Sequence, residues 1–220
     1  MKNMKNPPDA SRVIEGLRET GYTFETSIAD IIDNSISHGK AKNIWLVVEM
    51  DYDGEINLAI IDDGVGMDSD ETSNAMKYGS KTLADPASLG KFGMGLKTAS
   101  SAFSRKYSLL SRPKNRAEII KATWDLDHVA EKNDWEMLLP EITEEEQALF
   151  DKYLGSKRGT IVIWEKVDRL MRAYSDQGGT YAKRAFDKKI ANLSFHISMV
   201  YQNYLDSNIS DYRTIKIHLN

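Results

Sequence analysis

The chain has 220 residues, of which 41% are hydrophobic and 28% charged, and its formal net charge is -4. This composition is typical of an ordinary globular protein with one sizeable core and part of a second module. No run approaches the roughly 18 consecutive apolar residues of a membrane span, and the start, MKNMKNPPDAS, lacks the apolar segment of a signal peptide. We therefore expect a cytoplasmic protein.

Cysteine and histidine usage limits the metal and redox chemistry of the chain. The absence of cysteine excludes disulfides, thiolate metal sites and a thiol nucleophile. The histidines are scattered, with no i,i+4 pair and no acidic partner at the spacing of a zinc site. We interpret them as ordinary surface or core residues.

In chain order, apolar periodicity predicts two helices followed by a hairpin. The first helix covers 10–19, and the second runs from an N-cap at Thr26 or Ser27 to a stop at Gly39. The pair Asp53 and Gly54 then predicts a tight turn between two antiparallel strands, which cover 44–50 and 56–61.

Helices and strands continue to alternate beyond the hairpin. Helices are predicted over 70–78, 96–103, 143–154 and 183–205, and strands over 107–111, 118–124, 159–164 and 214–219. This interleaving with an early hairpin predicts an α+β fold with a mixed sheet. The turn-rich stretch 167–179 predicts a boundary between a domain over 1–167 and a second unit over 168–220.

The second predicted helix has an unusual polar face. Asp30 and Asn34 lie about 40° apart around a helix, nearly opposite Ile28 and Ile32, because each residue advances about 100°. One face is therefore apolar and suited to the core, and the other presents a carboxylate and an amide. For the helix alone, a pair of solvated polar residues is an equally good interpretation.

An aspartate follows the second strand of the hairpin. Asp62 comes directly after the apolar run and is followed by Gly64 and Gly66. A carboxylate at a strand end is a fixed acceptor that can bind an exocyclic amino group, and glycines let a ligand approach the backbone. Aspartate–glycine turns after strands are common, so this signal is weak by itself.

A second glycine-rich stretch precedes the helix at 96–103. Gly90, Gly93 and Gly95 stand where free backbone N–H groups and the helix dipole favour a phosphate. A flexible loop that begins a helix explains the same glycines. The long preceding loop excludes a dinucleotide-binding fingerprint, and the string required for a P-loop does not occur.

Charge is distributed unevenly along the second half of the chain. Residues 131–150 hold seven acidic side chains and one lysine, whereas residues 151–190 hold ten basic and five acidic side chains. The basic stretch, 152–189, is compatible with a face that contacts DNA. A solvated helix surface explains the charge run at least as well.

Four motifs in this order, ADIIDNS, IDDGVGM, GKFGMGLK and RGTIVIW, resemble the GHKL superfamily of ATPases. That superfamily includes DNA gyrase, the ninety-kilodalton heat-shock chaperone, histidine kinases, MutL and MORC proteins, and the stretch 11–112 is most similar to the MORC type. The resemblance implies a Bergerat-type ATP-binding fold, an α/β sandwich with helices packed on one face of a mixed sheet. It also implies that 168–220 form a linker helix and the start of a transducer-like domain.

The resemblance implies roles for individual residues. Asn34 matches the asparagine that binds magnesium, and Asp62 matches the aspartate that accepts a hydrogen bond from the adenine amino group. Thr160 matches the threonine that supports adenine recognition through a water, and residues 67–92 correspond to the ATP lid. The other expected nucleotide contacts are Gly64, Gly66, Met67, Gly90, Lys91, Phe92, Gly93, Met94, Gly95, Leu96 and Lys97.

These roles imply a magnesium-dependent ATPase whose bound ATP orders the lid and favours N-terminal dimerisation, in a DNA-directed system of the MORC or MutL kind. Asp30 stands where hydrolysing members have a glutamate as general base. Aspartate is one methylene shorter, and loss of its reach to water would remove a base contribution of about 10²- to 10⁴-fold. A non-hydrolysing ATP-binding sensor and a chaperone-type module are therefore alternatives.

Overall fold

The computed structural model describes residue 4 and residues 6–80, 94–114, 118–171 and 173–220. The helices are α1 (Ala10–Arg18), α2 (Phe24–Ser37), α3 (Ser69–Met76), α4 (Gly95–Phe103), α5 (Leu126–Lys132), α6 (Glu144–Tyr153), α7 (Thr180–Val200) and α8 (Gln202–Leu205). The strands are β1 (Asn43–Met50), β2 (Ile56–Asp62), β3 (Ser104–Arg112), β4 (Ile120–Asp125), β5 (Gly159–Val167) and β6 (Lys216–Leu219). Apart from α5, from the division of the last predicted helix into α7 and α8, and from differences at their ends, these elements were predicted.

The strands form one mixed sheet in the order β4-β3-β5-β2-β1-β6. Neighbouring strands are antiparallel except for β6, which runs parallel to β1. The predicted hairpin joins β1 to β2, and Gly54 in its turn has a φ of 85°, a conformation that favours glycine. The predicted α+β fold with a mixed sheet is confirmed.

Both faces of the sheet bury apolar side chains. On one face, Ile32 of α2 belongs to the same buried cluster as Trp164 of β5. On the opposite face, Phe150 and Leu154 from the end of α6 cover Ile161 of β5. Complete burial of one such side chain contributes about 1.5–3 kcal/mol to stability. Burial of the apolar side of α2 fixes the direction of its polar side.

Helix α2 begins earlier than predicted and ends where predicted. An N-cap at Thr26 or Ser27 is wrong, because Thr23 Oγ1 accepts the backbone N–H of Thr26 at 3.2 Å, and Thr26 Oγ1 accepts that of Thr23 at 3.0 Å. This capping box makes Phe24 the first helical residue, and Phe24 is buried in the core. At the other end, the chain leaves the helix just before Gly39.

The C-terminal part of the chain is hydrogen-bonded to α2 and to the edge of the sheet. The predicted helix over 183–205 is interrupted at Tyr201, whose hydroxyl hydrogen-bonds to the Ala29 carbonyl at 2.9 Å and to Asp33 Oδ1 at 2.8 Å. Strand β6 then extends the sheet beside β1. The division into 1–167 and 168–220 stays a prediction. Within the described ranges, no helix combines the length and apolar character needed to cross a membrane.

Candidate functional site

The polar face of α2 points towards the start of α4. Asp30 and Asn34 are both half-buried on this face. A β-carbon built on Gly95, the first residue of α4, would lie 3.6 Å from Asp30 Oδ2. The structure therefore brings the predicted base residue and the predicted phosphate-binding helix start together.

A tyrosine that the sequence patterns did not single out holds the Asp30 carboxylate. The Tyr22 hydroxyl donates to Asp30 Oδ2 at 2.5 Å. Burial, and then the hydrogen bond to Asp30, raise the pKa of Tyr22, so its hydroxyl stays protonated at neutral pH. This bond uses one carboxylate oxygen and leaves Oδ1 for another partner.

Asp62 is a buried carboxylate at the last position of β2, with 6% of its surface exposed. Its Oδ1 accepts the backbone N–H of Gly64 at 2.9 Å, and its Oδ2 accepts the Ser35 hydroxyl at 2.9 Å. Burial raises the pKa of Asp62 to about 6, against the lowering effect of these two donors. Above that pH the side chain is a buried, charged acceptor.

This carboxylate and two polar side chains form one row across three adjacent strands. Asp62 of β2 is paired with Thr160 of β5, which is paired with Ser111 of β3. Ser111 Oγ lies 3.1 Å from Thr160 Oγ1 and accepts the backbone N–H of Met67 at 2.7 Å. Residues paired directly across a sheet project to the same face, so the predicted contacts Asp62, Met67 and Thr160 converge.

Gly64 and Gly66 are needed for close packing of the loop after β2. A β-carbon on Gly64 would collide with the carbonyl oxygen of Gly39, and one on Gly66 with the carbonyl oxygen of Arg112. Gly66 also has a φ of 69°, which side chains with a β-carbon rarely adopt. The space predicted to admit a nucleotide is thus occupied by protein backbone, and a nucleotide contact at these glycines stays a prediction.

The start of α4 is suited to an anion. Met94 occupies the N-cap position and makes no side-chain cap hydrogen bond, which α4 shares with α7 and α8, whereas α1, α2 and α3 have side-chain caps. The first N–H groups of an uncapped helix are free donors at the positive end of the dipole. Leu96 is half-buried beside them and packs against the main core.

The Lys97 ammonium group is bonded to the protein backbone. Its side chain is buried, and Nζ donates to the Ala75 carbonyl at 2.7 Å, in the last turn of α3. Burial lowers the pKa of Lys97 to about 8, so the ammonium is still charged at neutral pH. Its phosphate contact stays a prediction. The four remaining predicted contacts, Gly90, Lys91, Phe92 and Gly93, lie outside the described residues.

The charged side chains elsewhere do not form a second obvious site. No group of three or more histidine, aspartate or glutamate side chains in the described ranges could hold a metal. In the predicted basic stretch, Lys166 pairs with Asp125 and Asp127, and Arg169 pairs with Glu19. Part of that positive charge is therefore already neutralised by neighbouring carboxylates.

Comparison with known proteins identifies the family of the chain. The family model described as histidine kinase-, DNA gyrase B- and HSP90-like ATPase matches residues 22–160 of the chain. That range covers more than half of the chain. The chain therefore belongs to this family of ATPases, and the predicted GHKL resemblance is confirmed.

A curated relative points to one branch of the family. Over 92 residues, the chain is 28% identical to the ATPase MORC2B of Mus musculus. The matched segment covers 40% of the chain and 9% of the mouse protein, so the chain spans a small part of that relative. The similarity to MORC-type ATPases predicted from the motifs is confirmed on this segment.

Proposed function

We propose that the chain binds ATP together with magnesium and hydrolyses it slowly. The observation that carries the proposal is that α2 connects both ends of one site. Asp30 faces the uncapped start of α4, while Ser35, the residue after Asn34, donates to the buried Asp62 carboxylate. An anion-binding helix start and a buried acceptor on one rigid helix suit a nucleotide, which has phosphates at one end and an amino-bearing base at the other.

Each end has a chemical role in this proposal. Asp62, ionised above about pH 6, accepts a hydrogen bond from the adenine amino group. The backbone N–H groups at the start of α4 bind phosphate oxygens and stabilise charge that develops on them. Asn34 would hold magnesium through its amide oxygen, an oxygen ligand of the kind this ion prefers, and the bound ion would neutralise phosphate charge.

Asp30 is the proposed general base. Oδ2 lies near the start of α4 and accepts the Tyr22 hydroxyl, and the remaining lone pairs of the carboxylate can accept a proton from an attacking water. Because aspartate has a shorter reach than glutamate, a fixed carboxylate at the start of α4 is a condition for any base catalysis here. Tyr22 supplies that fixation and acts as a positioning residue.

Removal of the Tyr22 hydroxyl should therefore slow hydrolysis more than it weakens binding. For Tyr22→Phe we expect single-turnover hydrolysis to fall about tenfold, the effect of one hydrogen bond of about 1.4 kcal/mol, with the Kd for ATP nearly unchanged. Tyr52→Phe is a matched control, since Tyr52 is 89% exposed in the hairpin turn. An unchanged rate in Tyr22→Phe would contradict the positioning role.

The central test is calorimetric titration of the wild-type chain with ATP, with magnesium and then with excess chelator. We expect saturable binding that magnesium strengthens, and no binding at millimolar ATP would overturn the proposal. Single-turnover hydrolysis on the same sample distinguishes an ATPase from a protein that binds ATP without hydrolysing it. Binding with a rate no faster than the reaction in water would favour the non-hydrolysing sensor.

Two wider parts of the proposal concern partners. ATP-dependent dimerisation and lid closure over 67–92 are proposed from the family, and sedimentation with and without ATP tests the dimer. DNA binding through 152–189 is proposed from the charge pattern and from the similarity to a MORC ATPase. Phosphate contacts would give an affinity that falls steeply with salt, whereas a flat response would leave these residues as ordinary surface.

A further inference from the structure

The outer side of α7 carries large apolar side chains that the site above does not use. The helix lies against α2 and β1, and the residues of its buried side are Ala182, Phe186, Leu193 and Ile197. Phe195 and Met199 lie one turn apart on the opposite side, where 70% and 55% of their surfaces are exposed. Two neighbouring apolar side chains exposed to this degree favour an interaction surface.

The exposed side around Phe195 and Met199 is uncharged over about four helical turns. From 190 to 205 the sequence contains no aspartate, glutamate, lysine or arginine, although most of these positions are exposed. The exposed side of a surface helix normally carries charged residues. Here the small side chains Ala191 and Ser198 lie beside the two large ones, an alternation that forms ridges and grooves for a second helix.

Opposite charges lie at the two ends of this neutral stretch. Residues 183–189 hold four basic side chains and one acidic side chain, and residues 206–211 hold two acidic and no basic side chains. Lys188 is exposed at the positive end, and Asp206, the C-cap of α8, is exposed at the negative end. The face therefore has a positive end, a neutral apolar centre and a negative end.

A face with this polarity is complementary to a second copy of itself in one direction. In an antiparallel pair that packs Phe195 of each copy beside Met199 of the other, Lys188 of each copy lies opposite Asp206 of the other. Lys188 precedes Phe195 by seven residues and Asp206 follows Met199 by seven, so both lie at the same distance from the centre. A parallel pair would instead place like charges together.

We propose that this face of α7 and α8 binds a second copy of the chain as a symmetric, antiparallel helix pair. Each contact between Phe195 and Met199, and each ion pair between Lys188 and Asp206, then occurs twice. The pair needs no nucleotide, so it is separate from the ATP-dependent dimer proposed above and does not rest on ATP binding. A single helix face is small for a protein interface, and we expect a Kd of about 10 μM.

Sedimentation without nucleotide or DNA tests the pair at about 1 to 200 μM protein, on both sides of the expected Kd. The wild type should shift from monomer to dimer, and Phe195→Asp should raise the Kd about 100-fold or more. Leu139→Asp is the matched control, since Leu139 is 68% exposed beside β4, at the other end of the sheet. A wild type that stays monomeric, or a Phe195→Asp variant that dimerises like the wild type, overturns the proposal.

A charge exchange tests the register of the pair. At low salt, Lys188→Glu and Asp206→Lys should each raise the Kd about tenfold, because each places two pairs of like charges together. The double variant should return to within about twofold of the wild type. Asp206 also accepts the backbone N–H of Asn208 at 2.8 Å, and this bond stays lost in the double variant, so its repair cannot explain a recovery. A double variant weaker than either single variant overturns the register.

The direction of the pair can be read by cross-linking, because the chain contains no cysteine. Ser198 is exposed next to the proposed two-fold axis, so Ser198→Cys should form a covalent dimer with a short bismaleimide. In Lys183→Cys the two thiols of an antiparallel pair would be about 40 Å apart, and this variant should stay uncoupled. Coupling of both variants would indicate a parallel pair, and coupling of neither would leave no helix pair; either result overturns the proposal.

Discussion

Asp62→Asn should eliminate measurable ATP binding and at the same time stabilise the folded chain at neutral pH. The loss of affinity follows from the fixed orientation of the new amide. The backbone N–H of Gly64 donates to Oδ1, so the amide oxygen has to occupy that position and the amide nitrogen faces Ser35 and the ligand. A donor would then meet the adenine amino group, and we expect a loss of about 10²-fold or more in Kd.

The gain in stability comes from removing a buried charge. The pKa of Asp62 is raised from 3.8 to about 6 by burial, so the folded state binds its proton more tightly than the unfolded state does. That contribution is fully present below about pH 4 and is lost as the pH rises through about 6. Asparagine does not titrate, so Asp62→Asn should match the wild type at about pH 4 and exceed it by about 3 kcal/mol above about pH 7.

Urea unfolding from pH 4 to pH 8 measures the difference in the free energy of unfolding between Asp62→Asn and the wild type. Asp63→Asn is a control in which this difference should have the opposite sign. Burial alone would raise the pKa of Asp63. Hydrogen bonds from Asn43 and from the backbone of Lys42 outweigh that effect and hold the pKa below its ordinary value. That stabilisation is present above the unfolded-state pKa and disappears in acid. Asp63→Asn should therefore be less stable than the wild type at neutral pH. A pH-independent difference for Asp62→Asn would contradict the burial of charge.

The part of the site on α2 was predictable because helical periodicity is local. The isoleucines Ile28 and Ile32 are fully buried, as the pattern indicated, and Asp30 and Asn34 are both on the less buried side. The error at the start of α2 has a local cause too. Several threonines and a serine there are all acceptable caps, and only the reciprocal bonds with Thr23 and burial of Phe24 distinguish them.

The residues that support the site depend on distant pairing. Ser111 meets Thr160 because β3 lies beside β5, and the two residues are separated by 49 positions in the chain. Tyr22 precedes the N-cap of α2, so helical periodicity could not place its hydroxyl against Asp30. Ser35 follows Asn34 directly and was the easiest of the three to predict, because its contact with Asp62 requires only that β2 lies beside α2.

Asp30→Asn should separate binding from turnover. The Tyr22 hydroxyl can still donate to an amide oxygen, so the side chain keeps its place at the start of α4. An amide cannot accept a proton from water, and we expect single-turnover hydrolysis to fall by about 10²- to 10⁴-fold. The Kd for ATP should change little, because the proposed binding contacts come from Asp62, Asn34 and the helix start.

Asp33→Asn is the matched control for this experiment. Asp33 lies on the same helix, is also half-buried, and accepts the Tyr201 hydroxyl at 2.8 Å, a bond that asparagine preserves. Burial, with the nearby charge of Asp30, raises the pKa of Asp33 against the lowering effect of the Tyr201 hydrogen bond, so Asp33 is a second partly buried carboxylate of α2 close to Asp30. Hydrolysis in Asp33→Asn should stay near the wild-type rate. Equal rates in the wild type and Asp30→Asn, both close to the reaction in water, would instead indicate a sensor in which Asp30 is too short to activate water and ATP acts only by binding.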